Sequence, residues 1–173
     1  MTWKSKPVKK GSQKAIELLE RIPNIRLPIA VRELAVSLGH TVRSALLDDQ
    51  LSGMAFIAND EKVIVVNSKH HQNRQRFTIA HELGHHIMHY DMLSKGVHVD
   101  KGVLRRDVLS STGTEICEIE ANAFAAELLM PERLINHAVS TDFDLDDDMA
   151  IGRLAAQFGV SAAAMSNRIT NLR

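Results

Sequence analysis

Cysteine is almost missing from this chain. Cys117 is the only one, so no intrachain disulfide can form, and a reducing, cytoplasmic compartment is expected. Net charge is missing too, since 21 Lys and Arg balance 21 Asp and Glu. Such a balance supplies no counterion-release drive toward nucleic acid and no pull toward an anionic membrane. No apolar run approaches the roughly 20 residues of a spanning helix. The basic start MTWKSKPVKKGSQK lacks an apolar centre and does not read as a signal peptide. Repeats and low-complexity tracts are absent. What is left is one ordinary globular chain of 173 residues, 45% hydrophobic and 24% charged, long enough to bury a core without staples.

The pattern divides the chain into a flexible lead over 1–12, a main domain over 13–140 and a C-terminal helical pair over 141–173. From Gln13 to Ile22 the apolar spacing is helical, and Ile29 to Leu38 reads as a second helix stopped by Gly39. Three strands are expected from HTVRSALL, GMAFIAN and KVIVVN, the last two joined as a hairpin through Asn59-Asp60. Residues 72–90 return to helical spacing. Residues 91–113 are rich in Gly, Ser, Lys and Asp and read as a mobile loop beside a cleft. A strong helix follows, capped by Thr114 and stopped by Pro131.

His81-Glu82-Leu83-Gly84-His85 carries the chemistry. On a helix, residues four apart share a face one turn up, so both imidazoles can reach one ion. Zinc in a catalytic site takes three protein ligands and keeps one position for water. It lowers the pKa of that water toward 7, and Glu82, beside the first ligand, is placed to take the proton as general base. The third ligand is expected from the next strong helix, as in glutamate-zincins. Glu118 is the candidate, and Asn122, one turn on, faces the same way and can accept from the free ring N–H of a zinc histidine. Glu120 points elsewhere. A metzincin arrangement would need a glycine at 88 and a histidine at 91, where Met88 and Asp91 stand.

Other residues get plainer readings. His86 points off the ligand face, His89 is a polar position at the helix end, and Tyr90 has no place fixed for it. Cys117 reads as a buried thiol. Asp142–Asp148 lacks a calcium-loop pattern and reads as a solvated run. GMAFIAND is a candidate edge strand for binding a substrate backbone. LAAQFGVSAAAMSNRI has a helix-turn-helix outline, but the second helix opens on Ser161-Ala162-Ala163-Ala164 and offers only Asn167, Arg168 and Arg173 as readers.

RFTIAHELGHH (76–86) and EIEANAFAAELLMP (118–131) together resemble the two signatures of the ImmA/IrrE metallopeptidases. Ser52-Gly53-Met54, Val66-Asn67 and the closing LAAQFGVSAAAMSNRI are similar to that family as well, so the resemblance spans roughly 14–172. It implies an α+β, zincin-like fold with a small, mostly antiparallel sheet of about three strands packed on a helical bundle. It implies one zinc per chain held by His81, His85 and Glu118, with Glu82 catalytic. The implied activity is endopeptidase cleavage of a regulatory protein, a helix-turn-helix repressor of a mobile element or stress response. Two other classes stay open: a DNA-binding regulator with a structural metal, and a toxin–antitoxin-like module that binds its partner without cutting.

Overall fold

The computed structural model describes residues 5–100, 112–139 and 147–172. The fold is α+β, with eight helices and one four-stranded sheet among those residues. In chain order the elements are α1 (Lys6–Leu19), α2 (Val31–Ser37), β1 (His40–Ala45), β2 (Gly53–Ala58), β3 (Glu61–Asn67), α3 (Gln72–Met88), α4 (Tyr90–Leu93), β4 (His98–Asp100), α5 (Thr112–Leu129), α6 (Glu132–Ala138), α7 (Asp148–Phe158) and α8 (Ala162–Leu172). No helix among the described residues is long and apolar enough to cross a membrane.

The sheet departs from the three-strand expectation. Its order is β1-β3-β2-β4, with β1 parallel to β3 and the other neighbours antiparallel. The β2–β3 hairpin turns at Asn59-Asp60, both with positive φ, at 50° and 63°, the left-handed region that a two-residue hairpin turn needs. The fourth strand arises inside the stretch read as a loop, where Gly53, Met54 and Ala55 pair with Asp100, Val99 and His98. Three residues are too few to show an alternating pattern; pairing with an open strand edge makes them a strand. α4 also falls in that stretch, while residues 101–111 lie outside the described ones. β4 pairs with β2 only along Gly53–Ala55, so that half of the candidate substrate-binding edge is already occupied.

α1 begins at Lys6, within the segment expected to be a flexible lead. Pro7 sits in its first turn, where its missing N–H costs nothing, and Val8 and Gly11 are buried. A Cβ at Gly11 would stand 2.1 Å from the Glu120 carbonyl oxygen, so only glycine lets α1 lie this close to α5. α5, which starts at Thr112 rather than at a Thr114 cap, packs on α1 on one side and on α3 on the other.

One core runs through the molecule. Ile64 and Val66 of the sheet, Ile79 and Leu83 of α3, and Phe124 and Leu128 of α5 share it with Leu154 and Phe158 of α7 and Met165 and Ile169 of α8. The C-terminal pair is thereby packed into the same core as the sheet. Arg168, offered by the sequence as a DNA reader, is buried instead: its guanidinium pairs with Glu127 and its Nε donates to the Met130 carbonyl at 3.1 Å. Arg173 and most of the 142–148 run lie outside the described residues.

Candidate metal centre

α3 is buried continuously from Thr78 to His86. That burial makes the His81–His85 segment an interior feature and places its polar groups where each must find a partner. The pairing with α5 then decides which groups meet. His81 Nε2 and His85 Nε2 face each other at 3.0 Å. Glu118, from the first half of α5, sets Oε2 at 3.4 Å from His81 Nε2 and Oε1 at 3.3 Å from His85 Nε2. Asn122, one turn along α5, accepts from His81 Nδ1 at 3.1 Å. With Nδ1 committed as a donor, His81 turns Nε2 to the cluster, where a proton or a metal ion can sit.

A fourth group joins them. His98 of β4 places Nε2 at 3.4 Å from Glu118 Oε1, and its ring centroid is 4.1 Å from that of His85. One ligand atom each from His81, His85, His98 and Glu118 lies within 4.8 Å of all the others. The sequence reading foresaw three donors and missed His98. It lies 17 positions after His81 and on no shared helix, so the only clue was a histidine in the stretch between the two motif helices.

The donors fit a metal. Two atoms held by one tetrahedral zinc at about 2.0–2.1 Å stand about 3.3 Å apart, and the separations above cluster around that value. Glu118 Oε1 and His98 Nε2 are buried without a hydrogen-bond partner among the described residues, and so are both carboxylate oxygens of Glu82. Orphaned buried polar atoms are costly unless an ion and its surroundings satisfy them.

Electrostatics points the same way. Burial alone would lower the His81 imidazole, but hydrogen bonding to Glu118 and the charges of Glu82, Glu118 and Asp100 carry it up to about 9. The site thus favours positive charge. Burial would also raise the Glu118 carboxyl, yet the His81 and His85 rings beside it hold it well below the usual carboxylate range. His85 is pushed down to about 3, mainly by burial, and burial lowers His98 as well. Both are neutral at pH 7, the form that ligates metal. Burial pushes Glu82 up to about 8, opposed by His81 and assisted by Asp100 and Glu118.

The remaining candidates fall outside the cluster. Asp91 is exposed, as is Tyr90 at 49%. His86 turns to the sheet, with Nε2 3.2 Å from the Val63 carbonyl. Cys117 is half-buried rather than buried. His89 and Glu120 are both buried and lie against each other at 2.9 Å.

Comparison with known proteins gives the chain a family. The chain is 30% identical over 125 residues, 72% of its length and 73% of the relative's, to immunity region protein 2 of Bacillus phage phi105. Its fold is similar to that of a Mycobacterium tuberculosis transcriptional regulator, with a TM-score of 0.60 at 22% identity over 96% of this chain. It spans only 47% of that regulator. The family model for the IrrE N-terminal-like domain, Peptidase M78, matches residues 29–170. The chain belongs to this metallopeptidase family.

Proposed function

We propose that this protein is a zinc endopeptidase that cuts a regulatory protein, a helix-turn-helix repressor governing a mobile element or a stress response. The observation that carries the reading is Glu82. Its carboxylate is fully buried, has no hydrogen-bond partner among the described residues, and adjoins four convergent metal donors. A structural carboxylate at that depth would be paired. The phage relative named for an immunity region supports a repressor as the partner class.

His81, His85 and Glu118 would hold the ion, which supplies an acidified water and polarises the scissile carbonyl. The chain's own work is proton handling and orientation. Glu82, whose buried carboxyl is raised to about 8, would act in its ionised form, which a cation beside it would favour, taking a proton from water and returning it to the departing amine. Asn122 fixes the His81 tautomer. His98, neutral and with Nε2 uncommitted, can donate to the carbonyl oxygen as charge develops there.

The test is Glu82→Gln in the full chain, incubated with a candidate helix-turn-helix repressor and analysed by mass spectrometry. The expected result is one zinc per chain, an intact fold and cleavage slowed by about 10²–10⁴-fold. Equal cleavage by wild type and variant would remove Glu82 from the chemistry, and no cleavage by the wild type would refute the peptidase reading.

His98 also favours a second reading. Four protein ligands close a zinc site, as in structural centres. With His98 as a ligand, the chain would be a metal-stabilised module that sequesters its partner. Partner binding with no cut by the wild-type chain is its signature.

A further inference from the structure

Behind His85 runs a line of polar contacts that the proposed chemistry does not use. His85 Nδ1 lies 3.1 Å from His89 Nδ1. His89 Nε2 lies 2.9 Å from Glu120 Oε2, and the same oxygen accepts from Lys10 Nζ at 2.7 Å. His85, His89 and Glu120 are buried, whereas the Lys10 side chain is 53% exposed. The line therefore starts at the candidate metal centre and ends at solvent on α1.

Its polarity follows from the site. His85 Nε2 faces His81 and Glu118, so Nδ1 carries the proton and must donate. His89 Nδ1 must then accept, which leaves the His89 proton on Nε2, where it donates to Glu120. Only one tautomer of each ring satisfies the chain of contacts. His89 caps the C-terminal end of α3, outside its regular turns, and meets the Nδ1 side of His85, whereas His81 meets the Nε2 side.

We propose that His89 is a positioning residue for His85, and that α1 secures it through Lys10 and Glu120. The proposal rests on the metal-centre reading above. The two candidate histidine ligands are thereby oriented by unlike means: His81 by the neutral amide of Asn122, His85 by an imidazole backed by a carboxylate and an ammonium. Gly11 makes the second arrangement possible, since any side chain there would lift α1 off the Glu120 backbone. Lys10 and Gly11 precede the 29–170 segment matched by the family model. The N-terminal helix is thus part of the centre's support in this chain.

The experiment measures Zn²⁺ affinity by chelator competition, and the visible spectrum with Co²⁺, on the full chain. It compares wild type with His89→Leu, His89→Asn and Lys10→Met. Asparagine can present its amide oxygen near the Nδ1 position; leucine fills space without an acceptor. His89→Leu is expected to weaken Zn²⁺ binding about 10- to 100-fold and to shift the Co²⁺ bands. His89→Asn should restore most of both. Lys10→Met should shift affinity the same way by a smaller factor, from a half-exposed position that the fold tolerates. Melting of each chelated variant registers any loss of fold separately. Wild-type affinity and spectrum in both His89→Leu and Lys10→Met would overturn the proposal, as would failure of His89→Asn to restore either. Failure of the wild type to bind Zn²⁺ or Co²⁺ would instead overturn the metal-centre reading, and this proposal with it.

Discussion

Gly84, inside the metal motif, faces the ring of Phe124 so closely that a Cβ there would stand 3.0 Å from Cδ1 and 3.3 Å from Cγ. The spacing of α3 and α5 is therefore set next to the histidines it serves. Gly84→Val should force the helices apart and cost roughly 1–3 kcal/mol, with Zn²⁺ affinity falling alongside. Adding Phe124→Leu should recover part of both. Urea denaturation of the single and double variants measures the coupling; strictly additive effects would mean that the contact does not govern the approach.

His98→Ala separates the two functional readings. With His98 as carbonyl donor, the variant should keep one zinc per chain while kcat drops about 10²–10³-fold and KM changes little. Loss of zinc on dialysis, measured by atomic absorption, would make His98 a ligand and favour the closed, non-cleaving module.

Much of the architecture was legible because it is local. The Asn59-Asp60 turn and the i, i+4 histidines announce themselves within a few residues. α7 does too: Asp147 accepts from the Met149 and Ala150 amides at its start, and Gly159 closes it at φ 65°. What escaped depends on tertiary partners. β4 exists because β2 has an edge to fill, and His98 reaches the cluster only through that pairing. α1 extends back to Lys6, with Val8 buried and Gly11 set against α5. Arg168 looked like a surface cation because nothing nearby in the chain reveals Glu127, 41 positions away.

That pair gives a stability prediction. Arg168→Met leaves the Glu127 carboxylate buried without its cation and should cost about 3–5 kcal/mol. Replacing both residues, Glu127→Leu with Arg168→Met, should cost less than the single change. Glu127 Oε1 also accepts from the Glu132 amide at 3.1 Å, so some penalty remains. A double-variant cost equal to the sum of the Arg168→Met and Glu127→Leu costs would show that the ion pair is not coupled.

Acid should weaken the metal-free protein through a second pair. His40 and His86 meet edge to face with ring centroids 4.9 Å apart, both buried. Burial lowers His40 and pushes His86 down to about 4, against an ordinary 6.5. Above pH 6.5 both are neutral in folded and unfolded chains, and their contribution is fully present. Below it the unfolded chain binds protons that the folded one refuses, so stability falls toward pH 4. His40→Phe keeps a ring in the contact and removes one of the protons. Its Tm, recorded with chelator present, should decline less steeply than wild type between pH 6.5 and 4.5. Parallel slopes would assign the acid sensitivity elsewhere.

α5 gathers attachments from both ends of the described chain. Lys10 grips it at Glu120, Arg168 grips it at Glu127, and the centre draws Glu118 and Asn122 from the same helix. Site and scaffold are consequently linked functions in the thermodynamic sense. An ion bound only by the folded chain, at 100 times its Kd, adds about 2.7 kcal/mol against global unfolding. Reciprocity then requires that whatever loosens the terminal helices lowers the apparent affinity of the centre. With an ion bound there, metal supply would also set how readily the chain unfolds.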